Sequence, residues 1–260
     1  MKLTKSAMVR LSSCLLMLGL LLAWELFSRL SAIPTLVLPA PSVIAEALWQ
    51  GIYTGYFYPH FLRTLTELLL GLFLGCAFGF LSGLIMAEFD ILRRLMQPYM
   101  VISQVIPKLA LAPLFMVWFG FGMTSTVVIT ALICFFPLME NTLTALRQID
   151  PQKRELFRML GASNLQTLVM LKIRSGLPVI LAGFRVAVVL AMVGAVVGEF
   201  IGGSKGLGAL IIASQGMMDT PLMFAVLVII TAMGLAIYQC ATWIERLLLP
   251  PQFELSEKEE

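Results

Sequence analysis

The sequence predicts an all-α membrane protein with six transmembrane helices. Hydrophobic residues make up 59% of the 260 residues and charged residues 13%, and the mean hydropathy is +0.93, values far outside those of soluble domains. Several apolar stretches are long enough for the helix of roughly 20 residues that crosses a bilayer. The alternation of apolar and polar residues that a membrane β-barrel requires does not occur in the sequence.

The apolar stretches predict spans at about 11–30, 65–87, 97–119, 123–146, 177–200 and 221–244. The third and fourth spans share one long apolar region, and the sequence FGFGMT predicts the turn between them. A proline-rich and aromatic stretch between the first two spans predicts an interfacial segment. We therefore expect residues 1–260 to form one transmembrane domain with a single long connection, 147–176, between the fourth and fifth spans.

The basic residues predict how the chain is oriented. Lys2, Lys5 and Arg10 precede the first span, and no small-x-small cleavage site follows it, so we expect this span to be retained rather than removed as a signal peptide. The side of the two termini receives all of the 18 lysines and arginines except Arg29, Arg63, Lys108, Arg185 and Lys205. The positive-inside rule then predicts that both termini and the connection 147–176 are cytoplasmic.

Small residues in the spans predict helix packing. The second span carries a glycine at every fourth position, Gly71, Gly75, Gly79 and Gly83, and a face without side chains allows a neighbouring helix to approach closely. The four cysteines lie in apolar stretches without metal-ligand spacing, and we expect them to be packing residues; they are Cys14, Cys76, Cys134 and Cys240.

The connection 147–176 carries signals for two short amphipathic helices. Asp150 before Pro151 predicts a helix start, and Gly161 predicts its left-handed stop. Ser163 and Gln166 have the spacing of a capping box that begins a second helix. Three interpretations remain open from the residues alone: a solvated basic loop, a helix lying on anionic lipid headgroups, and a docking surface for a soluble partner.

Charged residues inside the spans indicate candidate positions on a transport pathway, since burying a charge in lipid costs about 2.5 kcal/mol or more. Lys108 lies between Pro107 and Pro113, which we expect to break or kink the third span, so it either attracts an anionic substrate or contacts carbonyl groups freed by the kink. Arg185 is a second candidate, with a structural pairing to Glu140 as the alternative. Glu199 is a third, either at a gate or binding-protein contact or simply exposed at the interface.

The residues disfavour an intramembrane enzyme. Such an enzyme would need paired carboxylates, a nucleophile with its base, or metal ligands within the bilayer. The single histidine, His60, flanks the second span and is predicted to be interfacial, and no metal site is predicted.

The stretch RELFRMLGASNLQTLVMLKIRSGLPVILAGFR resembles the EAA loop of ABC importer permeases. Glu155 and Gly161 match the family's Glu and Gly, whereas Leu156 and Phe157 replace its two alanines. Further stretches, LVLPAPSVIAEALW, PKLALAPLFMVWFGFGMTS and GEFIGGSKGLG, resemble the permeases of the nitrate, sulfonate and taurine branch. The two large side chains imply either a wider groove on the partner or packing against the chain's own spans.

The resemblance implies the type I, MetI-like permease fold in a bacterial cytoplasmic membrane. It further implies a second permease chain, two cytoplasmic ATPase subunits and an extracytoplasmic binding protein, with no nucleic-acid partner. ATP and Mg would bind the ATPase rather than this chain, which has no Gly-x4-Gly-Lys sequence. The coupling residues implied are Glu155, Leu156, Phe157, Gly161, Ala162 and Ser163.

The expected activity is transport of a small anion such as a sulfonate, taurine or nitrate, and not an enzymatic reaction. An aromatic carboxylate or a pyrimidine vitamin precursor is the alternative cargo. A stand-alone secondary transporter is a further alternative, suggested by the broken third span, although the sequence shows no internal repeat.

Overall fold

The computed structural model describes residues 2–31 and 34–249, and this part of the chain is helical, without strands. The expected all-α class is therefore confirmed. The α-helices are α1 (Lys2–Leu30), α2 (Pro41–Tyr53), α3 (Tyr58–Glu88), α4 (Asp90–Val105), α5 (Ala112–Phe119), α6 (Met123–Arg147), α7 (Pro151–Met159), α8 (Asn164–Gln166), α9 (Arg174–Gly202), α10 (Leu207–Gly216) and α11 (Thr220–Leu248). A 3-10 turn, Lys108–Leu111, precedes α5, and a π-helical segment, Thr167–Ile173, joins α8 to α9.

Five helical stretches are long and apolar enough to cross a bilayer, and α4 with Lys108–Phe119 makes a sixth if the two are counted as one bent span. These two pieces meet at an angle of 83°. The break follows from Pro107, which has no amide hydrogen to donate and which forces the residue before it, Ile106, into an extended conformation. The expected break in the third span is therefore present, and the stretch 97–119 is divided between two helices.

The second and fifth spans are longer than the sequence predicted. Helix α3 begins at Tyr58, where Pro59 occupies the first turn, rather than near residue 65. The fifth span is continuous from Asn164 to Gly202, a length of 39 residues, rather than starting near residue 177. The second short helix expected in the connection is therefore not separate: it is the first part of this long helix.

Helices α3, α6 and α9 form the centre of the fold, and the glycine face of α3 packs on α6. A Cβ atom at Gly75, Gly79 or Gly83 would lie 2.5 Å from a carbonyl oxygen of α6, respectively that of Ala131, Phe135 or Met139. The expected glycine interface is confirmed. Because backbone lies against backbone, the two helices gain close dispersion contacts along their whole shared length.

The cysteines divide between the core and the surface. Cys134 is buried and its thiol donates to the Ala187 carbonyl at 3.3 Å, and Cys76 is half-buried, so packing roles are confirmed for these two. Cys240 is exposed, contrary to the expected packing role. The side chain of Cys14 and those of Lys2, Lys5 and Arg10, as well as Lys258, lie outside the described residues.

Candidate functional site

The connection after α6 holds an exposed turn between two capped helices. The Asp150 carboxylate accepts the Gln152 amide hydrogen at 2.8 Å and so begins α7. Gly161 ends it in the left-handed region, with φ +71°, and the Ala162 amide donates to the Phe157 carbonyl. The predicted start, stop and turn are all present.

The capping box that begins the long fifth span is also present. The Ser163 hydroxyl accepts the Gln166 amide hydrogen at 3.2 Å, and the Gln166 side-chain oxygen accepts the Ser163 amide hydrogen at 2.8 Å. Residues 164–202 then continue as one helix into the apolar region. The turn at Gly161 is therefore connected directly, without a flexible linker, to a membrane-crossing helix.

The turn exposes a group of apolar side chains. Leu156 is 54% exposed, Leu160 73% and Leu165 69%, whereas Phe157 is half-buried. The two large residues that replace the family's alanines thus behave differently, because Leu156 faces outward and Phe157 packs partly against the chain. Exposed apolar side chains at the tip of a basic segment are typical of a surface that contacts a protein or a membrane.

Two ion pairs connect the base of this segment to the neighbouring helices. The Lys172 ammonium lies 2.5 Å from the Glu88 carboxylate at the end of α3, and the Arg147 guanidinium lies 2.6 Å from Asp90 at the start of α4. These contacts place Glu88, Asp90, Arg147 and Lys172 at one end of the bundle, which we call the loop end.

A cleft of about 550 Å³ lies where the third span is broken, between α4, α6 and α9. It is lined by Gln104, Lys108, Glu140 and Asn141, among others, and we call it the Lys108 cleft. The Lys108 ammonium lies 4.1 Å from the centre of the Phe136 ring, within the range of a cation–π interaction. The break frees the Pro107 carbonyl group, and this carbonyl accepts a hydrogen bond from the Ala110 amide rather than from the Lys108 ammonium.

A second cleft of about 370 Å³ continues from the first toward the loop end. We call it the Arg93 cleft; its lining includes Arg93, Gln97, Thr144 and Arg147. The sequence interpretation did not include these residues. The available signal was the polar face of α4, because Arg93, Gln97 and Gln104 fall within about 40° of one another at 100° per residue.

Arg185 and Glu199 do not line either cleft. The expected pairing of Arg185 with Glu140 is wrong: the Arg185 Nε atom lies 3.1 Å from a carboxylate oxygen of Glu245 in α11. Glu140 instead accepts from the Gln104 amide at 2.9 Å. Arg185 pairs with Glu245 because α9 and α11 are neighbours at that depth. The spacing of residues in the sequence does not show which helices are neighbours.

Glu199 is 1% exposed, so its expected interfacial exposure is wrong. Its carboxylate accepts the Thr64 hydroxyl hydrogen and the Gly208 amide hydrogen, both at 2.6 Å. Thr64 in turn accepts the Leu207 amide hydrogen at 2.8 Å. His60 also joins this cluster, because its Nδ1 atom lies 3.0 Å from the Gly206 carbonyl oxygen, and its side chain is half-buried. The cluster links the start of α10 to α3 at the end opposite the loop end.

Within residues 2–31 and 34–249, no group of three or more His, Cys, Asp or Glu side chains is placed to hold a metal ion. The chemistry available in the two clefts is instead that of a few charged and amide side chains in a mostly apolar lining.

Residues 75–250 match the family of binding-protein-dependent transport system inner membrane components. The chain belongs to this family. It is a permease subunit of an ABC importer, and the matches to its relatives cover most of its length.

The permease is 39% identical over 88% of its length to a riboflavin transport system permease protein of Chloroflexus aurantiacus, of which the match covers 86%. It is 36% identical to a formylaminopyrimidine transport permease protein of Halalkalibacterium halodurans, over 92% of this chain and 95% of that protein. It is 27% identical to a taurine transport system permease protein of Escherichia coli, over 89% and 86% of the two chains.

The fold of the permease is similar to that of a chain in the inward-facing MetNI methionine ABC transporter. The TM-score is 0.64 at 18% sequence identity, and the match covers 82% of this chain and 99% of that one. This similarity confirms the MetI-like fold class expected from the sequence.

Proposed function

We propose that this permease forms the membrane pathway for a small anion and that cytoplasmic ATPase subunits dock on the turn formed by Glu155, Leu156, Phe157, Gly161, Ala162 and Ser163. The observation that carries the proposal is the capped turn, which exposes apolar side chains and continues into a helix of 39 residues. ATP and Mg bind the ATPase, and this chain contributes no catalytic group.

The geometry suggests how force would reach the membrane. A docked ATPase that moves the turn displaces Ser163, which caps the helix that begins at Asn164. Helices are stiff along their axis, so the displacement is transmitted to α9 and to its neighbours α3 and α6. The ion pairs of Lys172 with Glu88 and of Arg147 with Asp90 connect the same end to α3 and α4.

The proposed assembly follows the family. Two permease chains lie in the bacterial inner membrane with both termini and the loop end in the cytoplasm, and an extracytoplasmic binding protein delivers the cargo on the opposite side. The basic residues that favour this orientation include Arg93, Arg94 and Arg147 at the loop end.

Docking is tested by a pull-down of the cognate ATPase in mild detergent. We expect Glu155→Lys with Gly161→Pro, and separately Leu160→Asp, to reduce capture by about tenfold or more, as is usual for the centre of an interface. Met217→Asp is the matched control, since Met217 is 62% exposed near the opposite end. Unchanged capture by both loop variants would refute the docking assignment.

Lys108 supports an anionic cargo such as a sulfonate, taurine or nitrate, because it places a cation on the cleft at the break in the third span. A pyrimidine vitamin precursor is the second candidate, and it is favoured by the similarity to the formylaminopyrimidine permease. Binding of taurine, an alkanesulfonate, nitrate and a formylaminopyrimidine to the partner binding protein, measured by calorimetry, discriminates between the two.

Transport by the reconstituted complex tests the importer assignment against a stand-alone transporter. We expect uptake into liposomes only with the ATPase, the binding protein and ATP present. Uptake driven by an ion gradient through this chain alone would contradict the proposal.

A further inference from the structure

The Lys108 cleft and the Arg93 cleft share a wall made by two side chains. Gln104 of α4 and Glu140 of α6 line both clefts, and the Gln104 amide donates to the Glu140 carboxylate at 2.9 Å. Both side chains are exposed in the single chain, so the hydrogen bond is accessible to a solute that moves between the two clefts. Gln104 lies close to the end of α4, next to the break at Ile106, so the bond connects a free helix end to the continuous helix α6.

The wall carries one negative charge, that of Glu140, and positively charged residues line the cleft on each side of it. Among the described residues, neither Lys108 nor Glu140 belongs to an ion pair, so Glu140 is a carboxylate without a salt-bridge partner between cationic groups on both sides. On the loop-end side, Asp90 pairs closely with Arg147 at 2.6 Å and more loosely with Arg93 at 3.6 Å. The Arg93 Nε atom is buried and has no hydrogen-bond partner among the described residues.

We infer that the Gln104–Glu140 hydrogen bond is the barrier between the two clefts, and that Glu140 is the residue that determines which charge crosses it. An anion attracted by Lys108 is repelled by the Glu140 carboxylate until the bond breaks and the carboxylate moves away. Beyond the barrier, Arg93 and Arg147 line the second cleft and give it the positive charge that attracts the same anion. This inference rests on the proposed function, because it takes the two clefts as the inner half of the transport pathway.

The alternative is that Glu140 only holds α4 against α6. Glu140→Gln separates the two possibilities, since it keeps a hydrogen-bonding side chain of the same size and removes the charge. Glu140→Ala removes both the charge and the bond. If Glu140 is a charge filter, Glu140→Gln changes the access of anionic and of cationic solutes differently. If Glu140 is only a structural contact, the variant changes the access of both alike.

The test uses engineered cysteines in the assembled permease–ATPase complex, in inside-out vesicles without nucleotide. Val193→Cys reports on the Lys108 cleft and Thr144→Cys on the Arg93 cleft, because each residue lines only that cleft. Cys14 and Cys240 are replaced by serine, and labelling of this parent is subtracted. The reagents are the anionic sulfonatoethyl and the cationic trimethylammonioethyl methanethiosulfonates.

We expect Thr144→Cys to react rapidly with both reagents and Val193→Cys to react more slowly by about tenfold, with the anionic reagent the slower of the two. Glu140→Gln should raise the rate of the anionic reagent at Val193→Cys by about fivefold or more and leave the cationic rate unchanged. Glu140→Ala should raise both rates. Glu46→Gln, which removes an exposed carboxylate of α2 outside both clefts, should change neither.

Equal rates at Val193→Cys in all four backgrounds would overturn the barrier. An equal rise for both reagents in Glu140→Gln would overturn the charge filter. If neither reagent reaches Thr144→Cys from the cytoplasmic side, the pathway in the proposed function is itself wrong. If Thr144→Cys is labelled rapidly and no substitution changes the labelling rate of Val193→Cys, the pathway stays intact and the barrier alone is refuted.

Discussion

Gly79 of α3 lies against Phe135 of α6 so closely that a Cβ atom on the glycine would be 2.5 Å from the phenylalanine carbonyl oxygen. A Cβ atom does not approach an oxygen atom to that distance, so an alanine here forces the two backbones apart. The same relation recurs one turn away in each direction, at Gly75 and Gly83, and the strain at one position is therefore transmitted along the whole interface.

Gly79→Ala should lower the stability of the permease. We expect a cost of about 1–3 kcal/mol from overpacking, measured as a lower midpoint of thermal unfolding in detergent. The control is Gly19→Ala in α1, where a Cβ would have no neighbour within 4 Å. If both variants melt alike, the close approach of α3 and α6 is not what stabilises this pair.

This interface shows what the sequence could predict. A glycine at every fourth residue identifies one face of a helix, and the need for close packing in lipid follows from physical chemistry. The sequence does not predict which helix covers this face, because α6 is far away in sequence and several apolar helices could equally cover it.

Glu199 should be essential for the structure at the end opposite the loop end. Glu199→Ala leaves the Gly208 amide without its acceptor, at about 1–3 kcal/mol for a buried group, and leaves the Thr64 hydroxyl only the longer contact with the His60 carbonyl oxygen at 3.2 Å. We expect a large loss of thermal stability, and a smaller loss for Glu199→Gln, which keeps one acceptor oxygen. Glu46→Gln on the exposed face of α2 serves as the control and should melt like the wild type.

Gly206→Ala probes the same cluster from the other side. Gly206 has φ +129°, and a Cβ there would lie 2.2 Å from the Glu199 carboxylate. We expect this variant to be less stable than Gly216→Ala, since Gly216 has no neighbour within 4 Å of its Cβ position. Equal unfolding midpoints for the two alanine variants would show that the α10 start is not held by the glutamate.

Arg185 and Glu245 should behave as a coupled pair. Removing one partner leaves a charge in the membrane region, which costs about 2.5 kcal/mol or more, whereas removing both leaves none. We therefore expect Arg185→Gln and Glu245→Gln each to destabilise the permease and the double variant to cost less than their sum. Additive effects in this double-mutant cycle would contradict a direct interaction at 3.1 Å.

Long-range pairs such as this one are where sequence interpretation fails. Glu140 lies seven residues before the end of α6 and Glu245 three residues before the end of α11, and hydropathy cannot say which of the two faces Arg185. Local signals succeed better: Asp150, Gly161 and Ser163 were each assigned from neighbours within a few residues, and their backbone geometry is as predicted. The break at Pro107 is local too, but its 83° angle depends on packing.

Gly161 should be replaceable by asparagine but not by valine. The residue has φ +71°, a conformation that asparagine tolerates and that a β-branched side chain resists, while the space around its Cβ position is empty. We expect Gly161→Asn to capture the ATPase nearly as well as the wild type, and Gly161→Val to lose about 1–2 kcal/mol of docking free energy because the turn must distort. Titration of the detergent-solubilised permease with labelled ATPase measures both. Wild-type affinity in both variants would mean that the left-handed turn is not the conformation recognised, whereas equal losses in both would point to the glycine backbone itself as a contact surface.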